Sequence, residues 1–350
     1  MYKIIITIII FGISLFQNTA LGANIIIKGA GATFPYPLYK TWVETYYNKT
    51  GIRIDYQAVG SGSGIKQLFN GKVDFGATDA YLSDAELKKA PGQILHIPTC
   101  VGAVAICYNL PLGGHFKSIL KMTPELLSKI FMGKVTNWSN NEISRINPGI
   151  DFPDTKITIV HRSEESGTNF VFTNYLSKAS REWKDNIGCG KTVRWPVGIG
   201  VEGNPGVVNY LKKIPGSIGY VELTWAKKNQ MPAAMIQNRK GNYIEPTLKS
   251  LSEAAKIDLP SDTRVLITDT DAPEGYPISS FTWLIFYKEQ ANNQRNREEA
   301  AALLKFLLWA IKDGQHFNKT LHYAKLPEEA VSYAEKIIKS ITYGEIPIVD

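Results

Sequence analysis

The strongest constraint on this chain is its alternation of short β-branched runs with helical patterns, the βαβ rhythm of a parallel-sheet protein. Runs at Asn24 to Lys28, Ile52 to Ala58 and Val73 to Ala77 read as strands, and each precedes a helical stretch: Tyr36 to Thr50, Ile65 to Asn70 and Asp84 to Lys89. The rhythm resumes with Ile94 to Tyr108 as strand, Pro124 to Phe131 as helix, Ile157 to Val160 as strand and Asn169 to Ser177 as helix. It closes with an apolar strand, Phe281 to Tyr287, and helices over Arg297 to Lys312 and Pro327 to Ser340. A chain of 350 residues is long enough for two lobes of ordinary size. With no internal repeat and no long Gly/Ser linker, it must cross between lobes in short strands, near Val101 to Val104 and near Thr268 to Tyr276. The expected division is residues 23–102 with 276–350 as a discontinuous first lobe and residues 103–275 as the second.

The first 22 residues follow a different pattern. Met1-Tyr2-Lys3 leads into an apolar run from Ile4 to Phe16, then small residues at Ala20, Gly22 and Ala23, the order of a cleavable secretory signal peptide. The apolar run is shorter than the roughly 20 residues that span a bilayer, and no cysteine lies nearby for lipid attachment. Export in soluble form to the periplasm is the expectation. Lys3 is the one charge in this segment, so removing it from the formal +7 leaves +6 for the exported chain. The basic residues are scattered and not blocked, which speaks for a solvated surface and against nucleic acid. Three cysteines, Cys100, Cys107 and Cys189, make an odd count. Seven extended residues put Cys100 and Cys107 about 23 Å apart, far beyond disulfide reach, so three buried thiols and no required bridge are expected.

Three segments share one design, a turn of Gly, Ser and Thr leading straight into a helix. They are Gly29-Ala30-Gly31-Ala32-Thr33-Phe34-Pro35, Gly60-Ser61-Gly62-Ser63-Gly64 and Ser166-Gly167-Thr168. Each singly reads as helix capping. Together they could surround a small anion with unpaired N–H groups, hydroxyls and the positive ends of helix dipoles. Arg162 stands at the end of a strand beside the third turn, where a guanidinium can grip two oxygens of an oxyanion. Asp79, after the strand Val73 to Ala77, occupies the same kind of position.

Other motifs lead elsewhere and fail. Gly198-Ile199-Gly200-Val201-Glu202-Gly203 fits GxGxxG, but Pro196 weakens a preceding strand and Pro205 follows directly, against a nucleotide site. No GxxxxGKS/T, GxSxG or HExxH occurs. The histidines, among them His161, lack metal-ligand spacing, so neither metal nor cofactor is expected.

The Gly29 to Pro35 run, Val73-Asp74-Phe75-Gly76-Ala77-Thr78-Asp79-Ala80, and Arg162 with Ser166-Gly167-Thr168 closely resemble the periplasmic phosphate-binding proteins of the phosphate ABC transporter, the Pst system. The likeness continues through Trp195-Pro196-Val197-Gly198 and Pro215-Gly216-Ser217-Ile218-Gly219-Tyr220-Val221-Glu222. It implies a type II periplasmic binding protein fold, with a ligand cleft between two lobes and a two-strand hinge, and no enzyme activity. The implied phosphate ligands are Thr33, the Phe34 N–H, Ser61, Asp79, Arg162, Ser166, the Gly167 N–H and Thr168, with Glu164 orienting the arginine. The implied partners are inorganic phosphate, bound with high affinity, and the membrane permease subunits of an ABC importer, for a protein that acts as a monomer. Two positions depart from the family pattern: Glu164-Glu165 stands where Asp-Gly is common, and Gly62 where a second serine is frequent. The alternatives at this point are another tetrahedral oxyanion, or an exported phosphatase using Ser61 or Ser166.

Overall fold

A computed structural model describes residues 25–110, 119–291 and 295–348. The expected signal peptide lies outside the described residues. In chain order the first part forms β1 (Ile26–Gly31), α1 (Tyr36–Thr50), β2 (Arg53–Ala58), α2 (Ser61–Phe69), β3 (Phe75–Thr78), α3 (Asp84–Leu87) and β4 (Ile94–Asn109). The middle forms β5 (Lys121–Met122), α4 (Pro124–Phe131), α5 (Asn141–Ile146), β6 (Thr158–Arg162), α6 (Gly167–Ala179), α7 (Arg181–Asn186), β7 (Ile199–Val201), α8 (Gly203–Lys213), β8 (Ser217–Glu222), α9 (Leu223–Lys228), β9 (Met235–Gln237), β10 (Tyr243–Ile244) and α10 (Leu248–Ala254). The last part forms β11 (Ser279–Tyr287), α11 (Arg297–Ile311), α12 (Glu328–Lys339) and the short hairpin β12 (Thr342–Tyr343) and β13 (Ile346–Pro347). Among the described residues no helix is long and apolar enough to cross a membrane.

Eight strands are joined in the order β2-β1-β3-β11-β4-β8-β6-β7. The sheet is mixed, not wholly parallel as the βαβ rhythm suggests. β1 runs parallel to β2 and β3, and β6 runs parallel to β7 and β8, but β11 is antiparallel to β3 and β4, and β4 is antiparallel to β8. The physical reason lies in β4. Its sixteen residues are apolar almost without interruption and buried along nearly their whole length, the pattern of a central strand covered on both faces. Ile94 to Ala103 pair with β11, and Val104 to Asn109 pair with β8. One strand therefore serves two half-sheets, and the fold has two lobes.

Pro98 sits inside this central strand, where it removes a donor from the ladder. The register against β11 shifts there, from Thr282 opposite Cys100 to Trp283 opposite Pro98. Thr99 is the extra residue of the bulge, and its Oγ1 donates to the Thr282 carbonyl at 3.1 Å. The chain returns beside the same point: the Val104 N–H donates to Ile278 O at 2.9 Å, and Tyr276 Oη donates to Val104 O at 3.0 Å.

Element starts differ from the sequence reading mainly at helix N-termini. α2 begins at Ser61 and not Ile65, and α6 begins at Gly167 and not Asn169, because glycines are tolerated in a first turn whose N–H groups have no intrahelical partner. Pro205 does not interrupt the chain after the GxGxxG run. It lies in the first turn of α8, where its missing N–H costs nothing. Cys100 and Cys107 are buried and unpaired as expected; Cys189 is unpaired but exposed, on the loop after α7.

Candidate functional site

The carboxyl ends of β1, β2 and β3 in one lobe face those of β6 and β7 in the other. The residues that follow each strand meet in a seam between the lobes. Four helix N-termini point into it, those of α1, α2, α6 and α8. The three small-residue turns singled out in the sequence are brought together here, with Arg162 and Asp79.

Arg162 is 3% exposed and closes β6. Its Nε donates to Glu164 Oε1 at 2.9 Å, its Nη2 also reaches that oxygen and approaches Thr33 Oγ1 at 3.5 Å. The ion pair with Glu164 is thus real, and it orients the guanidinium. Nη1 has no hydrogen-bond partner among the described residues although it is buried. An unpartnered buried cationic N–H is expensive, and an anion is the kind of group that would relieve it. Glu164 is held in turn by the Gly203 N–H, which donates to Oε1 at 3.1 Å. Glu165 points away, to Lys66 at 3.0 Å in the opposite lobe.

N–H groups occupy both lone pairs of Ser61 and one of Ser166. Ser61 Oγ accepts from the Gly167 N–H at 3.1 Å and the Asp79 N–H at 3.4 Å. Ser166 caps α6, its Oγ accepting from the Asn169 N–H at 3.1 Å. A hydroxyl has two lone pairs and one proton; when N–H groups occupy the lone pairs, what remains to offer is the proton. Thr33 and Thr168 are buried at the same seam. Phe34 is fully buried, its ring packed on Gly102 and its carbonyl accepting from Tyr323 Oη at 2.7 Å. Gly167 stands so close that a Cβ there would lie 2.4 Å from Ser61 Oγ and 2.6 Å from Asp79 Oδ2. Only glycine leaves this space open.

Asp79 has no cationic bond partner among the described residues. Its Oδ1 accepts from Thr282 Oγ1 at 2.7 Å. Burial pushes its pKa up to about 7, opposed by that bond, the Arg162 charge and the Thr168 hydroxyl. Glu222, at the end of β8, is also buried and pushed up to about 8 by burial, against the N–H groups of Thr224 and Trp225. Both folded-state values lie above those of an unfolded chain, so the folded form holds extra protons. The associated stability is complete near pH 4 and is lost as pH rises through 7 and 8. The ligand-free protein should therefore melt at progressively lower temperature from pH 5 to about pH 8 and level off above it, and Asp79→Asn should remove the part of that decline that ends near pH 7. Calorimetry across that range checks this; a melting temperature that rises with pH contradicts it.

Sequence reasoning missed Asn204, Thr282 and Glu222. Asn204 follows the GxGxxG run, which places a glycine strand-to-helix turn at the seam and not at a nucleotide. That strand-Gly-helix spacing was the available signal. Thr282 and Glu222 gave none, since they reach the site through the β4–β11 and β4–β8 pairings. His161 stacks on Trp195 with ring centroids 4.8 Å apart, outside the constellation.

In comparison with known proteins, a PBP superfamily domain matches residues 18–313. A phosphate-binding protein PstS from Pasteurella multocida is 39% identical over 310 residues, 87% of each chain. Another from Xylella fastidiosa is 40% identical over 313 residues, 88% of this chain and 84% of the relative. One from Methanocaldococcus jannaschii is 36% identical, covering 93% and 88%. Among solved structures, a high-affinity periplasmic phosphate-binding protein with phosphate bound superposes with a TM-score of 0.74 at 20% identity, covering 89% and 93%. A phosphate-binding protein from Stenotrophomonas maltophilia gives 0.67 at 18% identity, with the same coverage. These likenesses show a shared fold.

Proposed function

Because the chain belongs to the PBP superfamily and, within it, to the PstS phosphate-binding proteins, we propose that it captures inorganic phosphate in the seam between its lobes and hands it to an ABC-type importer. The observation that carries this reading is the buried, unpartnered Nη1 of Arg162, on a guanidinium whose Nη2 lies 3.5 Å from Thr33 Oγ1, at the seam where Ser61 and Ser166 already receive N–H groups. Such a site offers donors on nearly every side, which a dehydrated oxyanion requires. Thr33, the Phe34 N–H, Ser61, Arg162, Ser166 and Thr168 supply these donors, while the Gly167 N–H, expected to meet the anion directly, donates to Ser61 Oγ and serves through that hydroxyl; Asp79 supplies the one acceptor, matched to a protonated phosphate oxygen. Glu164 holds the guanidinium in place.

Residues 23–102 with 276–350 form one lobe in this account and residues 103–275 the other, hinged where β4 and the segment before β11 cross. Capture closes the hinge. The protein acts after export to the periplasm, as a monomer that meets the permease and performs no catalysis. The hydrogen bonds that Ser61 and Ser166 make are with N–H donors and not with a base, which supports binding over hydrolysis.

Phosphate that binds the folded form alone stabilises it by about 2.7 kcal/mol at a hundredfold excess over Kd and about 4.1 at a thousandfold. Purified protein stripped of anion by unfolding and refolding should melt at higher temperature as phosphate is added. No shift at millimolar phosphate counts against the reading.

Closure also explains Gly62. Its N–H donates to the Glu165 carbonyl across the seam at 2.9 Å, and a Cβ would lie 2.3 Å from Glu165 Cβ. Gly62→Ala therefore burdens the closed form alone, by about 1–3 kcal/mol of overpacking. Phosphate affinity should fall roughly five- to hundredfold, while the ligand-free melting temperature stays unchanged. An unaltered affinity would show that the lobes do not meet at this point.

A further inference from the structure

Asn204, in the first turn of α8, is wholly buried at the seam and has no part in the ligand set above. Its orientation is fixed. The Glu222 N–H donates to its Oδ1 at 2.9 Å, so its Nδ2 must face the other way. Nδ2 then donates to Thr33 Oγ1 at 2.9 Å and approaches Thr168 Oγ1 at 3.4 Å. The backbone N–H of Asn204 also reaches Thr33 Oγ1, at 3.3 Å, and Arg162 Nη2 lies 3.5 Å from it. Donors thus crowd the lone pairs of Thr33, leaving its proton as the one thing it can offer.

We infer that Asn204 is a positioning residue for the anion, which turns the Thr33 hydroxyl from a group that can donate or accept into an obligate donor. This inference rests on the phosphate reading above. Thr33 belongs to one lobe, Asn204 and Thr168 to the other, so Thr33 acquires its fixed polarity only on closure. The site then reaches full donor strength only when shut. Hydroxyls free to turn would accept from a protonated ligand as readily as donate, and would not enforce a deprotonated oxygen at each position.

The test uses two variants of the full protein and titration with inorganic phosphate at pH 8.5 and pH 5.5. Asn204→Asp keeps the shape and reverses the polarity, since a carboxylate takes the Thr33 proton. Asn204→Ala removes the donor. The charged groups around this point are Arg162 at the end of β6, Glu164 just after it, Asp79 after β3 and Glu222 at the end of β8. At pH 5.5 Asp79 and Glu222 are themselves protonated, so the complete burial of the position and the nearby Glu164 carboxylate are what favour protonation of a new carboxyl there, against the Arg162 charge. At pH 8.5, phosphate affinity should fall about a hundredfold in Asn204→Asp and about tenfold in Asn204→Ala. At pH 5.5, Asn204→Asp should recover to within about tenfold of the unchanged protein at that pH, while the Asn204→Ala deficit stays constant.

A space-filling role would give both variants the same deficit at both pH values, and that result overturns the inference. So does affinity within threefold of the unchanged protein for Asn204→Asp at pH 8.5. Should Asn204→Asp fail to fold by ligand-free melting, a double-mutant cycle of Asn204→Ala with Thr33→Val decides. Non-additive losses support action through Thr33, and additive ones overturn it. If the unchanged protein binds no phosphate, the phosphate reading falls and this role with it; binding by the unchanged protein with silent variants removes this role alone.

Discussion

Replacing Arg162 with Met should abolish tight phosphate binding while leaving the fold intact. The side chain is a cation buried in the seam, and its Nη1 is left without a protein partner among the described residues. Its removal deletes charge-assisted donors and also leaves Glu164, and Asp79 at alkaline pH, as uncompensated negative charge facing the anion. Truncating one partner of a buried charged pair costs about 2–5 kcal/mol or more, which corresponds to roughly thirtyfold to several thousandfold in Kd. Arg162→Lys should fall between, because an ammonium keeps the charge but cannot serve Glu164 and two anion oxygens together. Calorimetric titration of each variant measures this. A Met variant within tenfold of the unchanged protein would move the anion elsewhere.

The second large effect concerns selectivity. Near neutral pH phosphate keeps at least one P–O–H proton and sulfate has none. Asp79 can accept from phosphate but meets sulfate with an unmatched acceptor and like charge. A site built around one specific hydrogen bond rejects the analogue lacking it by about 10⁴ to 10⁵. In Asp79→Asn, Thr282 Oγ1 continues to donate to Oδ1, which turns Nδ2 into the site as a donor. Sulfate should then bind, and the preference for phosphate should shrink at least about a hundredfold. The unchanged protein should show a weaker form of the same effect with acid, because Asp79 takes up a proton near pH 7. Competition between the two anions at pH 8 and pH 6 tests both points. A preference that survives Asp79→Asn intact removes Asp79 from selectivity.

What could be read in the sequence was local. The strand-to-helix turns at Thr33, Ser61 and Ser166 announce themselves through small residues before an apolar helix, and Arg162 and Asp79 through their place at strand ends. α4 falls on the residues expected, Pro124 to Phe131, because its cap, proline and apolar spacing agree. The central antiparallel pair could not be read, since a run buried on both faces looks alike in either direction; only the bulge at Thr99 and the pairing with β11 reveal it. Thr282 and Glu222 are contributed by that pairing, from far along the chain. Asn204 was hidden differently. Its glycine turn is visible in the sequence, but Pro205 counts there against a ligand site, whereas it lies in the first turn of α8, beside Asn204.

The spatial meeting of Gly62 with Glu165 has the same lesson. Each looked like a separate departure from a family pattern, yet each occupies the space the other leaves. Lys66 then pairs with Glu165 across the seam at 3.0 Å, an exposed contact of at most about 1 kcal/mol. The backbone bond and the steric fit carry more of the closed form than this ion pair does.

The most direct test of the account is isothermal titration of the purified protein, freed of bound anion, with phosphate and then sulfate at pH 8 and constant salt. One phosphate per chain, bound tightly and with no heat from sulfate, is the result expected. Absence of phosphate binding, or equal binding of sulfate, would contradict it.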